Sequence, residues 1–247
     1  MNLEEFFNKH RKVALAFSGG VDSAYLLYSA IKNNVDVCAY YVKSDFQPDF
    51  ELEDAKRLRD ILNANMKILN IEVLENPNIS KNPEDRCYYC KKEIFGKIYD
   101  EARKDGYEVL LDGTNFSDEY EDRPGMKAKD ELKVLSPLRE CELTKEDIRK
   151  LSKEAGLFTW NKPSYSCLAT RIKTYSEISK EKLERTEKSE EFMRSLGFTD
   201  FRVRNMGDDA KIEVISSEFE LLFKNREKIL RELSKYFNKV LLDLEAR

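Results

Sequence analysis

The run Val13-Ala14-Leu15-Ala16-Phe17-Ser18-Gly19-Gly20-Val21-Asp22-Ser23 decides how this chain is read. Five apolar residues without a polar break predict a buried strand of the kind found inside a parallel sheet. Two glycines then free the backbone from the Cβ constraint, and Ala24, Leu26, Leu27, Ala30 and Ile31 mark the helix that follows. A helix that opens from a glycine turn presents N–H groups without intrahelical partners, together with the positive end of its dipole. Ser18 and Ser23 add hydroxyl donors, and Asp22 adds a carboxylate able to hold Mg²⁺ against phosphates. Strand, loop and helix together predict a phosphate-binding turn made of Ser18, Gly19, Gly20, Val21, Asp22 and Ser23. The lysine of a G-x-x-x-x-G-K-[ST] loop is missing, which excludes the Walker-type kinases and GTPases.

Outward from this turn, short apolar runs alternate with helical stripes through the first two-thirds of the chain, the pattern of a parallel α/β sheet. Val35 to Val42 and Lys67 to Val73 read as the second and third strands, with Ala55, Leu58, Ile61 and Leu62 striping the helix that separates them. A long helix is expected from about Glu84 to Lys104, with Ile94, Ile98 and Ala102 as its apolar seam and Gly106 beyond its end; Glu108 to Asp112 reads as the fourth strand. Residues 114–136 read as a polar loop. Thr144 and Asp147 stand at capping-box spacing, Leu143 and Ile148 can staple that helix start, and Gly156 marks its end. Beyond a boundary near Tyr175 the order helix, strand, strand, helix, strand is expected, with Ser176 and Ser217 as N-caps, the latter followed by Glu220. The expected organisation is an α/β parallel-sheet domain over residues 1–175 and a small α+β domain over residues 176–247.

A chain of 247 residues with 41% hydrophobic and 36% charged residues suits a soluble globular protein with a sizeable core. No apolar run is long enough to cross a bilayer, and Met1-Asn2-Leu3-Glu4-Glu5 places acidic residues ahead of any apolar stretch, unlike a secretory signal. A cytoplasmic location without a membrane partner is expected. Up to Tyr175 there are 28 Lys and Arg against 31 Asp and Glu, and after it 15 against 16. Neither part is basic, which disfavours nucleic acid as a partner. The single histidine, His10, excludes metal sites built on several histidines.

Five cysteines (38, 87, 90, 141 and 167) are too few for a disulfide scaffold, and in a reducing compartment clustered cysteines point to metal or redox chemistry. Cys87 and Cys90 sit three apart near the start of the expected long helix, so both sulfurs face the same way, at a helix end that favours thiolates. Cys167 lies on an irregular stretch that could close over them. Three thiolates suit a [4Fe-4S] cluster with one iron open to an external ligand. Persulfide or redox thiols without a cluster, and zinc, are the alternatives; zinc lacks a histidine placed to complete its tetrahedron. Cys38 falls mid-strand and reads as an inert core residue, and Cys141 has no evident partner.

The string Ser18 to Ser23 resembles the signature of the PP-loop ATP pyrophosphatases, which have the adenine nucleotide alpha hydrolase-like fold and include GMP synthetase and the tRNA thiolases. That resemblance implies ATP cut between its α and β phosphates, with AMP transferred to a carboxylate or carbonyl oxygen. Further strings follow in order: Asp112-Gly113-Thr114-Asn115, Arg123-Pro124-Gly125, Ser136-Pro137-Leu138, Lys162-Pro163-Ser164 with Cys167-Leu168-Ala169-Thr170-Arg171, and Arg202-Val203-Arg204 with Gly207-Asp208. In combination, over nearly the whole chain, they resemble the LarE family, ATP-dependent sulfur transferases of nickel-pincer nucleotide cofactor synthesis. The resemblance implies pyridinium-3,5-biscarboxylic acid mononucleotide as substrate, its carboxylates becoming thiocarboxylates through an acyl-adenylate. Some members give up the sulfur of one cysteine, at the position of Cys167; the further presence of Cys87 and Cys90 matches members that hold a [4Fe-4S] cluster on three cysteines and pass on a bound hydrosulfide.

The same resemblance assigns Thr114 to the ATP site, Arg202 and Arg204 to the substrate phosphate, and Glu190 to an acidic position that is a candidate metal ligand. It also implies a homo-oligomer, a trimer or hexamer. Met206 stands where relatives often have His, and the chain ends at Leu244-Glu245-Ala246-Arg247 without the Gly-Tyr-Arg-x-Gly-Ser string common among them. Strand alternation independently puts Arg202 and Arg204 on one face, a ready anion site, whereas Glu190 by itself reads as part of a solvated helix face. Two rival readings account for fewer residues. A tRNA thiolase shares the loop and can share the cysteines but calls for an aromatic and basic RNA surface; a regulatory protein that senses ATP leaves the three cysteines unused.

Overall fold

The computed structural model describes residues 1–118 and 124–247, so Arg123 of the Arg-Pro-Gly string lies outside the described residues. In chain order its elements begin with α1 (Leu3–Lys9), β1 (Lys12–Phe17), α2 (Val21–Lys32), β2 (Asp36–Lys43), α3 (Asp49–Leu62), β3 (Asn65–Asn70), α4 (Pro77–Ser80) and α5 (Arg86–Lys104). They continue with β4 (Leu110–Leu111), α6 (Pro124–Glu131), α7 (Pro137–Glu140), α8 (Lys145–Glu154), α9 (Lys180–Ser195), β5 (Phe201–Met206), β6 (Asp209–Val214), α10 (Phe219–Leu233) and β7 (Lys239–Leu242). Two compact units result: residues 1–73 with 85–164, and residues 74–84 with 165–247. The second unit thus begins at Tyr165, ahead of the boundary expected near Tyr175, and takes in an earlier segment as well.

The first unit is an α/β layer structure around a four-stranded parallel sheet in the order β3-β2-β1-β4. Strand alternation divides the core into two. Val13, Leu15 and Phe17 of β1 and Val37, Ala39 and Tyr41 of β2 pack with α1, α2 and α3 on one face. Ala14, Cys38, Tyr40 and Val42 pack with Phe95, Ile98 and Ala102 of α5 on the other. The chain runs outward from β1 through β2 to β3, then returns to lay β4 on the opposite side of β1. In an open parallel sheet the crevice at such a reversal, beyond the carboxyl ends of the strands, is where ligands bind. The Ser18–Ser23 loop leaves the carboxyl end of β1 at this point, and the Asp112–Asn115 turn leaves β4 beside it.

Sequence periodicity and structure part at definite places. Helix α1 was not expected, although Asn2 and Glu5 form a capping box and Leu3, Phe6 and Phe7 bury one stripe. The polar loop expected over 114–136 contains α6, which starts at Pro124 and buries Ala128 and Lys129; Gly125, a weak helix former, hides it from periodicity. The fourth strand pairs over only two residues, after which Asp112 N–H donates to Leu135 O (2.9 Å) in an isolated bridge. The Thr144–Asp147 capping box of α8 is as expected. In the second unit, helix, strand, strand, helix and strand follow in the expected order, building the sheet β5-β6-β7 over a core of Phe201, Val203, Ile212, Leu222 and Leu233. Its helices are not capped by Ser176 and Ser217. Ser179 caps α9, because Ser176 is held in a turn after the left-handed Tyr175, and a short 3-10 turn over Ser216–Glu218 precedes α10.

Gly19 is left-handed (φ 71°), and a Cβ there would lie 3.3 Å from Ala55 Cβ on α3. A side chain in this conformation costs about 1–2 kcal/mol. Gly19→Ala is therefore expected to lower the unfolding free energy by about that amount, read from the urea midpoint at unchanged slope.

Candidate functional site

Within the first unit, the phosphate loop is held open by its own serines. Ser18 Oγ and Ser23 Oγ are 3.0 Å apart, Ser18 N–H donates to Ser23 Oγ (3.3 Å), and Ser23 Oγ donates to Gly20 O (3.3 Å). Gly20 is the N-cap of α2 and offers no side-chain oxygen to the helix, so the N–H groups of the first turn remain for a ligand. Asp22 in that turn forms an ion pair with Lys145 and accepts a hydrogen bond from Asn115 Nδ2 (3.4 Å). Burial pushes its carboxyl above the ordinary range, and the Lys145 ammonium works against that rise. A carboxylate that already holds one cation is a fitting ligand for Mg²⁺.

The other wall of the crevice is the turn after β4. A Cβ on Gly113 would sit 3.0 Å from Ser23 N and 3.3 Å from Ser23 Cα, so a side chain there would press this turn away from α2. Thr114 and Asp112 are tied to Lys129, which is 2% exposed and 2.8 Å from Asp112 Oδ2. Lys91 of α5 lies over Gly125; its ammonium pKa is pushed down by burial and by Lys129 nearby. Lys91, Lys129 and Lys145 are absent from the sequence reading. The only signal for Lys145 is its place directly after the Thr144 cap, which sets it at the head of a helix. A cation missing from the loop itself is thus supplied to Asp22 from α8, 123 residues further along.

Cys87 and Cys90 lie in the first two turns of α5, the former exposed and the latter half-buried, with Arg86 Nη2 donating to Cys87 Sγ (3.6 Å). Such accessible thiols fit soft metal–sulfur chemistry. Cys38 is buried and its thiol pKa pushed up by burial, in keeping with an inert core residue. Cys141 is half-buried against the core, and burial raises its thiol as well. Cys167 belongs to the second unit, heading a 3-10 turn over Leu168–Arg171. Among the described residues, no three His, Cys, Asp or Glu side chains are gathered to hold one ion.

In the second unit the loop around Cys167 is organised by a buried ion pair. Arg171 and Glu190 are 0% and 1% exposed, with Nε to Oε1 at 2.8 Å and Nη2 to Oε2 at 3.1 Å. Val203 N–H donates to Glu190 Oε1 (3.0 Å) and Tyr165 O–H to Oε2 (2.5 Å). Burial works against the Arg171 charge, but its hydrogen bonds to Glu190 outweigh that and raise its pKa. Its remaining Nη1 donates to Ser166 O (2.9 Å) and Thr170 Oγ1 (2.9 Å), holding both sides of the Cys167 turn. Glu190 is therefore not part of a solvated face, because helix α9 turns it inward. At 1% exposure both of its oxygens are engaged, so an ion would reach it only by breaking the buried pair with Arg171, whereas Asp22 is 20% exposed at the crevice.

The two arginines of β5 share the face opposite Phe201 and Val203 but differ in setting. Arg204 is paired with Glu213 (2.9 Å) and donates to Thr170 O (2.7 Å). Arg202 is 4% exposed, lies with its guanidinium 5.4 Å from the Tyr165 ring centre, and has its pKa lowered to about 10, first by burial and then by Arg171 and Arg247. Arg202 also pairs with Asp200 (3.8 Å), so both arginines have a carboxylate at hand, and Arg202 is the more buried of the two.

A parallel sheet with a Ser-Gly-Gly-Val-Asp-Ser turn at its strand reversal defines a PP-loop ATP pyrophosphatase. No family model matches the chain. An uncharacterized protein of Methanocaldococcus jannaschii is 36% identical over 246 residues, 99% of this chain and 93% of its own length. Pyridinium-3,5-bisthiocarboxylic acid mononucleotide synthase of Lactiplantibacillus plantarum is 32% identical over 237 residues, 95% of this chain and 86% of its own. The glutamine-hydrolyzing GMP synthase of Thermotoga maritima is 28% identical over 198 residues, 71% of this chain and 39% of its own. The chain belongs to the LarE family and is an enzyme, an ATP-dependent sulfurtransferase. No helix among the described residues is long and apolar enough to cross a membrane.

Removing one partner of a buried ion pair costs about 3–5 kcal/mol, because the other charge is left without compensation. Glu190→Ala is expected to destabilise the protein by about that amount in chemical denaturation. Glu190→Gln, which keeps the acceptor and the volume, is expected to lose less.

Proposed function

We propose that the enzyme adenylates a carboxylate of pyridinium-3,5-biscarboxylic acid mononucleotide and converts it to a thiocarboxylate. The observation that carries this reading is the phosphate loop at the strand reversal, with Asp22 and Lys145 paired in its first helical turn. The 32% identity to a pyridinium-3,5-bisthiocarboxylic acid mononucleotide synthase supports the choice of substrate.

The free N–H groups of α2 and the hydroxyls of Ser18 and Ser23 take the phosphates of ATP, with Asp22 exchanging Lys145 for Mg²⁺. Lys145, released from Asp22, stands ready to take a phosphate oxygen. A substrate carboxylate oxygen attacks the α-phosphorus, the α–β bridging bond breaks, and pyrophosphate leaves. Hydrosulfide then adds to the carbonyl carbon of the mixed anhydride, AMP leaves with the original carboxylate oxygen, and loss of a proton yields the thiocarboxylate. Arg202 and Arg204 serve the substrate phosphate from one face of β5. Cys87, Cys90 and Cys167 would hold a [4Fe-4S] cluster, which when bound supplies an iron free to take hydrosulfide.

Turnover is expected to give AMP and pyrophosphate in equal amounts, resolved by chromatography; ADP as the main nucleotide product would overturn the adenylation. Asp22→Ala is expected to lose this activity while unfolding at nearly the wild-type temperature. The sulfur source has its own test, under anaerobic conditions with added sulfide. More than one thiocarboxylate per chain is expected, with Cys87→Ala, Cys90→Ala and Cys167→Ala each losing turnover together with iron content, and Cys141→Ala losing neither. A mass loss of about one H₂S at Cys167 after a single turnover would show instead that the cysteine itself is consumed.

A further inference from the structure

Among the groups that the proposed chemistry does not use, the lysine buried beneath the turn after β4 stands out. Lys129 is 2% exposed, and all three of its ammonium donors have acceptors: Asp112 Oδ2 at 2.8 Å, Thr114 Oγ1 at 2.5 Å and Ser136 Oγ at 3.4 Å. Asp112, 7% exposed, in turn accepts from Ser136 Oγ (2.7 Å), Thr114 Oγ1 (2.7 Å) and Thr114 N–H (3.2 Å). The Thr114 hydroxyl gives its one proton to Asp112 and a lone pair to Lys129, so it has no donor left for a nucleotide.

The same turn is one wall of the phosphate crevice. Gly113, flanked by two members of the network, lies where a Cβ would be 3.0 Å from Ser23 N, and Asn115 reaches Asp22 Oδ1 (3.4 Å). Helix α6 and the Ser136 segment are thus tied to this turn through the Lys129 ammonium and the Asp112 carboxylate. We infer that Lys129 is a positioning residue of the nucleotide site, its buried ammonium pinning the Asp112–Asn115 turn at the spacing from α2 that ATP requires. The inference rests on the ATP reading above and assigns Thr114 a part inside the wall rather than in contact with the ligand. A satisfied network of this kind holds one geometry, because each bond lost leaves a buried polar group without a partner.

The test compares MgATP binding by calorimetry with thermal unfolding, for wild type, Lys129→Met and the double variant Asp112→Asn/Lys129→Met. All binding is measured well below each unfolding transition. Lys129→Met is expected to bind MgATP at least tenfold more weakly. Should the unpaired Asp112 prevent folding, the double variant removes both charges; it is expected to fold and still to bind at least tenfold more weakly, because the Thr114 hydroxyl is no longer anchored. Wild-type affinity in either folded variant would overturn the inference and leave the pair a purely structural contact. Failure of the wild-type protein to bind MgATP would instead overturn the nucleotide reading itself.

Discussion

A helix cannot satisfy the first N–H groups of its own backbone, and in this protein the sheet decides where those of α2 point. Because β2 and β3 are laid on one side of β1 and β4 on the other, no crossover helix covers the carboxyl end of β1. The donors of α2 therefore face the crevice at the strand reversal, a place suited to an anion. Glycine at position 19 admits the left-handed turn, and glycine at position 113 lets the second wall approach backbone to backbone. The Asp22–Lys145 pair follows from the same constraint. A half-buried carboxylate at this place is stabilised by a cation, and α8 supplies one.

Each unit holds its reactive loop with a buried acid–base pair, and the two pairs are built alike. Asp112 and Lys129 organise the turn that faces the phosphate loop, and Glu190 and Arg171 organise the turn that carries Cys167. Buried ion pairs give little net stability, since desolvation offsets most of the attraction, but they penalise every arrangement that leaves one charge alone. That penalty suits a loop which must hold a cysteine or a nucleotide in one position without the support of regular secondary structure.

Burial and pairing distance in the second unit separate two arginines that look equivalent along β5. Glu213 on the neighbouring strand pairs with Arg204 at 2.9 Å, whereas Arg202 is buried against the Tyr165 ring, with Arg171 and Arg247 opposing its charge and Glu190 and Asp200 supporting it. An anion at either arginine meets a carboxylate already in place, held more loosely at Arg202 (3.8 Å) than at Arg204 (2.9 Å).

Local order in the sequence determined the strand–turn–helix of residues 13–31, the parallel α/β class, the capped start of α8 and the order of elements after residue 180, because each is written in the spacing of neighbouring residues. The six residues of the Ser18–Ser23 turn could be picked out for the same reason, since they are consecutive. Helix α6 was not, because Gly125 and the polar residues around it mask its period, and its one buried lysine looks like any surface lysine in a string. Only the tertiary structure decided that Lys145 meets Asp22, that Thr114 is closed into a network with Lys129, and that Glu190 is a buried partner of Arg171 instead of a solvated or metal-binding carboxylate. Those contacts join residues far apart in the chain, or depend on which helix face is buried, and a charge reveals its partner only once folding has removed the water between them.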